Sequence, residues 1–323
     1  MRFSRVALLC VPPAAALLCA ACAALTSDQN TTGYAIEALT RSAIPLLMLA
    51  WPVWALLLWR LQRVSGREAI LGGVGLLLMG VPPRGTLPPQ PGEAVVVVSN
   101  VNAYTGNDAR LEDFFAQLAA DAIITVEQRG AAIDGMVRVA DNYDQSLPRP
   151  SYGSAAYCRD ETRCTATVSE LIGSQTIAMP VVQLRLAGSC VLGMHAPPPY
   201  PYDPTGMHPY VTALLERIAD GHMRTAWGAC SAGDPVVLVG DLNAVPGSRP
   251  YRRMRSAGLR DPRRWVGVYG LTWPTGGGWP WVPLLRLDHV LLGAAPARLV
   301  QTMRVPDTDH KALVVAIAQV AQE

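Results

Sequence analysis

The chain has 323 residues, is 50% hydrophobic and only 16% charged, and carries a formal net charge of +2 with a mean hydropathy of +0.20. This is rich in apolar residues and poor in charge for an ordinary globular protein. From Arg84 onward there are 21 Arg plus Lys against 22 Asp plus Glu, which excludes a large overall positive field for capturing nucleic acid.

The apolar excess lies at the N-terminus. Val6 to Leu25 contains no charge, Ala43 to Trp59 holds three Trp, and Ala69 to Pro83 is shorter. As a helix the last would extend about 22 Å against a hydrocarbon layer of about 30 Å. Segments 6–25, 43–59 and 69–83 are read as two or three transmembrane helices, the first being alternatively a cleaved signal. Arg2 and Arg5, and then Arg60, Arg63 and Arg67, mark the cytoplasmic side by the positive-inside rule. Both readings predict a multi-pass protein of the cytoplasmic (inner) membrane with everything after Pro83 on the extracytoplasmic or periplasmic side. A Pro/Gly-rich linker, 84–93, leads to one domain, 94–323.

In that domain "EAVVVVSNVN" reads as a buried strand reaching Asn100. "DARLEDFFAQLAA" reads as a helix with Leu111, Phe114, Phe115 and Leu118 on one face, and "DAIITVE" as a strand ending at Glu127. Gly130 to Ser169 reads as loop-rich. "TIAMPVVQLRL" and "SCVLGMH" form a hairpin ending at His195, and the prolines of "APPPYPYDPTG" forbid regular structure. A helix, "HPYVTALLERIADGH", precedes the strand "PVVLVGDLNAVPG" with Asp241 and Asn243 at its end. Ser248 to Arg264 carries seven Arg, either a solvated face or a rim for phosphate or anionic lipid. "GLTWPT", "RLDHVLL", "ARLVQTMRV" and "HKALVVAIAQV" are mostly strands. Many strands and few helices predict sheets packed face to face and flanked by helices.

Four cysteines fall in this domain, and four Cys allow three connectivities. Cys158 with Cys164 closes a small loop. Cys190 and Cys230 each precede an apolar strand, so neighbouring strands would bring their sulfurs together at one sheet edge.

Apolar strands end repeatedly in Asn100, Glu127, His195, and Asp241 with Asn243. Asp288 and His289 begin another, and Asp309 and His310 precede the last. Carboxylate and amide oxygens without thiolates suit a hard divalent ion, Mg²⁺ or Mn²⁺. Two His with Asp partners suit proton transfer, and together these point to metal-assisted hydrolysis at phosphorus. His208, His222 and His289 read as structural or solvated.

"SNVN", "DAIITVE", "GMHAPPP", "GDLNA", "RLDHV" and "TDH", in this order, resemble the motifs of the endonuclease/exonuclease/phosphatase superfamily. With the apolar N-terminus and the proline run after His195, the closest resemblance within it is to VanJ-type membrane-anchored proteins. It implies a DNase I-like α/β four-layer sandwich, two packed, mostly antiparallel sheets flanked by helices, preceded here by transmembrane helices. It further implies metal ligation by Asn100, Glu127 and Asp309. Catalytic roles would fall to His195, Asp241, Asn243, Asp288 and His310, with Asp288 orienting His310. Val126 departs from the usual Gln, and "SAAYCRDE" occupies the place of a middle motif, making Tyr157 and Arg159 candidate substrate contacts along with Trp273. The expected activity is a membrane-tethered phosphoester or pyrophosphate hydrolase acting on envelope lipid-linked phosphates, with the bilayer as partner and no obligate protein partner. An extracytoplasmic nuclease is the alternative, and a catalytically dead binding module the third reading.

Overall fold

The computed structural model describes residues 88–101, 108–128, 132–142, 153–172, 178–198, 207–262, 270–275 and 285–320, together with 15, 53, 54, 56, 57, 60 and 283. In chain order the elements are β1 (Glu93–Asn100), α1 (Asp108–Ala116), β2 (Ala122–Gln128), β3 (Val137–Asp141), β4 (Gly153–Cys158), β5 (Cys164–Ile172), β6 (Ala178–Leu186) and β7 (Ser189–His195). There follow α2 (Met207–Glu216), β8 (Ile218–Ala219), β9 (His222–Met223), β10 (Val236–Asp241), α3 (Arg249–Ser256), β11 (Asp288–Leu292), β12 (Ala297–Arg304) and β13 (Lys311–Ala318).

A six-stranded sheet, ordered β12-β13-β1-β2-β4-β3, faces a five-stranded sheet, β11-β10-β7-β6-β5, and β8 with β9 forms a separate ribbon. Side chains of a strand alternate between faces, and the core divides accordingly. Val96 and Val98 of β1 meet Val237 and Val239 of β10 between the sheets. Val95 and Val97 turn outward to Leu111 and Phe115 of α1. Val236 and Leu238 turn outward to Tyr210, Val211 and Leu214 of α2 and to Met254 of α3. Burial on both faces explains why these strands read as unbroken apolar runs. The layers pack closely enough that a Cβ on Gly193 would lie 2.6 Å from Ile124 of the facing sheet.

Both sheets are mixed. β1 runs parallel to β2 and β7 parallel to β10, while the remaining pairs are antiparallel. The segment read as loop-rich contains β3, β4 and the start of β5. Both expected cystines are formed, Cys158–Cys164 and Cys190–Cys230, with Cα separations of 6.1 and 5.4 Å. Cys158 pairs with Ala122 at the start of β2, and Cys190 with Val236 at the start of β10, so both bonds lie at one end of the sandwich.

The transmembrane preface to this fold is corrected. Among the described residues no helix is long and apolar enough to cross a membrane. The predicted spans 6–25, 43–59 and 69–83 lie almost wholly outside the described residues. The multi-pass, extracytoplasmic placement, which the Arg positions oriented on those spans, loses its support with them.

Candidate active site

Strand direction gathers the polar ends. The parallel pairs bring the C-terminal ends of β1, β2, β7 and β10 to one edge, opposite the cystines, while antiparallel β11 and β13 begin there. His195, Asp241 and Asp288 occupy one row across three hydrogen-bonded strands, in register with one another. Gly240 has a positive φ of 132°, and a Cβ there would lie 2.2 Å from the Met194 carbonyl oxygen. Only glycine lets β10 approach β7 this closely, which is the physical reason for Gly before Asp241.

Asp241 is the hub. Asn100 Nδ2 donates to its Oδ2 at 3.1 Å, His195 Nε2 and His310 Nε2 each lie 3.7 Å from the same oxygen, and Asn243 N–H donates to Oδ1 at 2.9 Å. The last bond closes a turn. Asn243 adopts φ 45° and gives an Nδ2 hydrogen to the Ala196 carbonyl at 2.8 Å, so the strand is not extended beyond Asp241 and Asn243 ties β10 to the exit of β7. The turn and the site are therefore one structure, in which the Asx bond fixes the rotamer of Asp241. Glu127, at φ 54° beside the irregularity between Val126 and Gln128, places Oε1 3.5 Å from His195 Nδ1. A non-glycine residue in this region of φ is strained, and such strain concentrates at working sites.

His310 Nδ1 lies 2.9 Å from Asp288 Oδ2, and Thr272 Oγ1 accepts the N–H groups of Leu287 and Asp288 at 3.1 Å each. Trp273 Nε1 donates to Asp309 Oδ2 at 2.9 Å. Trp273, expected as a substrate contact, thus supports Asp309 instead, and Thr272 beside it in "TWPT" is a support that nothing in the local sequence announces. His289, as expected, is structural, with Nε2 2.7 Å from the Ala244 carbonyl oxygen.

Electrostatics follow from burial. Burial lowers the His310 imidazole, but Asp288, Asp241 and Asp309 together outweigh it and lift its pKa to about 10. Burial pushes the Asp288 carboxyl up while His310 pulls it back, and burial likewise raises Glu127. Because His310 rises from 6.5 to about 10, its proton stabilises the metal-free fold fully below pH 6.5, and that contribution is lost as pH climbs to about 10. Melting temperatures in chelator should therefore fall over this window, and His310→Gln should flatten the fall. An unchanged slope would contradict the charge assignment.

A cation fits the donor set. Asp241, Asp288 and His310, all buried, each offer a ligand atom within 4.8 Å of the others. Four carboxylates, Glu127, Asp241, Asp288 and Asp309, face at most two imidazolium cations. Among the described residues no Lys or Arg pairs with Glu127, Asp241 or Asp288. Glu127, Asp241 and Asp288 thus crowd one largely buried place, a cost that a bound divalent ion removes. The oxygen-rich set makes this a candidate divalent-metal site. Of the expected ligands, Asn100 touches this candidate cluster at Asp241, Asp309 lies 4.0 Å from it at His310, and Glu127 approaches by way of His195.

Two expected substrate contacts lie elsewhere. Tyr157 is 1% exposed, pairs with Ile123 in mid-sheet and packs on the α1 side. Arg159 donates Nε to the Ala120 carbonyl and Nη2 to the Leu118 carbonyl, closing the chain after α1. Trp273 is at the site, where its indole N–H holds Asp309. Partners that orient metal-binding groups are worth about 10–100-fold in metal affinity, so Trp273→Phe should weaken Mn²⁺ binding by about tenfold, read by electron paramagnetic resonance. An unchanged titration would remove Trp273 from the site's support.

The model described as the Endonuclease/Exonuclease/phosphatase family matches residues 97–310, and the chain belongs to that family. With its buried Asp/Asp/His cluster it is a divalent-metal-dependent phosphoester hydrolase. No curated protein matches the chain. Among solved structures it is similar to the AP endonuclease of Leishmania major (TM-score 0.53, 15% identity, 71% of this chain and 88% of that one). It is also similar to the human Nocturnin catalytic domain with bound sulfate (0.51, 14%, 72% and 97%) and to a conserved protein of unknown function from Enterococcus faecalis V583 (0.50, 13%, 70% and 100%). The expected bilayer partner and lipid-linked substrate are corrected accordingly, since they rested on spans that the described residues do not contain.

Proposed function

We propose that this protein is an Mg²⁺- or Mn²⁺-dependent nuclease-type phosphodiesterase acting on nucleic-acid phosphates, its catalytic unit being residues 94–323. One observation carries the chemistry: the buried hub at Asp241, touched by Asn100, His195, His310 and Asn243. Similarity to an AP endonuclease supports the substrate class. Kinship with VanJ-type proteins within the family rests only on the apolar N-terminal sequence, the motif string and the prolines after His195.

Asp241, Asp288 and His310 would hold the metal, with Glu127, Asp309 and Asn100 completing its surroundings. A bound ion neutralises charge on the phosphoryl oxygens. Asp241 takes the proton of the attacking water. His310, held protonated in the metal-free site by its three carboxylates, would give up that proton to ligate the ion, since only the neutral imidazole has a lone pair to offer. Asp288 fixes its tautomer and orientation. His195, between Glu127 and Asp241, stabilises or protonates the leaving oxygen, and Asn243 keeps Asp241 in position.

The test is a panel of supercoiled DNA, a short oligonucleotide and bis(p-nitrophenyl) phosphate, each with Mg²⁺, with Mn²⁺ and with chelator. Metal-dependent cleavage of the nucleic acids is expected. Turnover of the small diester without any nucleic-acid cleavage would overturn the substrate class, and full activity in chelator would overturn the chemistry.

A further inference from the structure

The helix that follows the site carries a charge pattern the chemistry does not use. α3 begins six residues after Asn243, and Arg249, Arg252 and Arg255 recur on it at three-residue intervals, all exposed. Residues three apart on a helix are neighbours, so the three guanidinium groups form a short ridge. The inward face is fixed. Pro250, Tyr251 and Met254 are buried, the Tyr251 hydroxyl donates to Asp261, and Arg253 donates to the His208 carbonyl and the Thr212 hydroxyl of α2. With that face locked, the ridge cannot turn inward.

Acidic residues are scarce along this stretch. Of the seventeen residues from Ser248 to Arg264 only Asp261 is acidic, and its carboxylate is bound inside the protein by Arg286 and Tyr251. Among the described residues neither Arg252 nor Arg255 pairs with a carboxylate. Arg252 instead donates to the carbonyl of Gly247, in the loop that joins the Asp241–Asn243 turn to α3. The ridge is thus anchored to the connection that forms the site. The balanced charge of the whole domain hides this local excess, because at physiological salt a charge is felt over about 8 Å rather than across a domain.

We propose that this ridge receives the sugar-phosphate backbone of a nucleic-acid strand beyond the scissile phosphate. This rests on the nucleic-acid reading above and deepens it from a phosphodiester in general to a polymer. The complementarity is one of charge and length. Eight helical residues extend about 12 Å, the span of about three or four phosphates of one B-form strand at about 3.4 Å each. Arginine at such positions binds phosphate oxygens through paired N–H groups without reading bases, so it sets affinity and register rather than sequence.

The test compares the full chain with its Arg249→Gln/Arg252→Gln/Arg255→Gln variant, following KM for duplex DNA against salt concentration. The kcat/KM for bis(p-nitrophenyl) phosphate, which is too small to reach the ridge, serves as the internal control. The variant should keep small-diester turnover, raise KM for DNA at least tenfold, and flatten the salt dependence by about two to three units of log–log slope, near 0.9 for each phosphate the protein no longer neutralises. The triple Arg→Lys variant should restore the slope. An unchanged DNA KM and slope in the Gln variant would overturn the ridge alone, as would loss of binding to anionic phospholipid vesicles with no effect on DNA. Failure of the unaltered protein to cleave DNA while it hydrolyses the small diester would overturn the nucleic-acid reading itself, and the ridge with it.

Discussion

Asp241→Asn should lower kcat by about a thousandfold while leaving the protein folded, because a positioned acid or base contributes about 10²–10⁴ to such rates. The substitution keeps the shape of the side chain and removes its charge. Asn100 then loses a charged acceptor, and both imidazoles lose the carboxylate 3.7 Å from their Nε2 atoms. The His310 pKa should fall as one of its supporting charges disappears. Steady-state kinetics across metal concentrations, with a melting curve as a folding control, checks this. A variant as active as the unaltered enzyme would mean that the hub is structural and that the reaction centre lies elsewhere.

The largest expected loss of stability lies behind the site. Arg286, 2% exposed, directs Nη2 to both oxygens of Asp261 at 3.0 and 2.8 Å, and the Tyr251 hydroxyl completes the carboxylate. Burial and Asp261 push the Tyr251 phenol up to about 12, which keeps it a donor. Breaking a buried pair by removing one partner costs about 3–5 kcal/mol, because the other charge stays buried and uncompensated. Asp261→Asn should therefore lower the urea midpoint sharply. Asp261→Leu combined with Arg286→Met should recover much of the loss, since an apolar replacement leaves no orphan charge. Equal midpoints for Asp261→Asn and the unaltered chain would show that the pair contributes nothing net.

Much of this arrangement is legible in the amino-acid sequence. Strands buried on both faces must be apolar throughout, so a polar residue at the end of such a run stands out, as Asn100, Glu127, His195 and Asp241 do. Local pattern cannot show what a distant residue supplies. Trp273 and Asp309 are 36 positions apart, and Thr272 supports Asp288 from sixteen positions away. The candidate ligand set joins Asp241 and Asp288, neighbours by strand register, to His310 from the facing sheet, and the sequence leaves both register and sheet packing open. β3 reads as loop because, at the sheet edge, it is mostly exposed and lacks an apolar run. β4 is fully buried, yet "GSAAYC" has no β-branched residue to announce a strand. The expected spans rest on hydropathy alone, a property that buried strands and membrane helices share.

The row His195, Asp241, Asp288 has a consequence for how the protein comes into being. These residues sit opposite one another in two ladders, one parallel and one antiparallel. Slipping β10 by one residue would leave both of its faces apolar but would bring Gly240 or Leu242 into the row in place of Asp241. The same slip would take Gly240 away from the Met194 carbonyl, where no side chain is tolerated. Correct pairing of the central strands and assembly of the reaction centre are thus a single event. A chain that has seated Gly240 against the Met194 carbonyl has already aligned its catalytic groups.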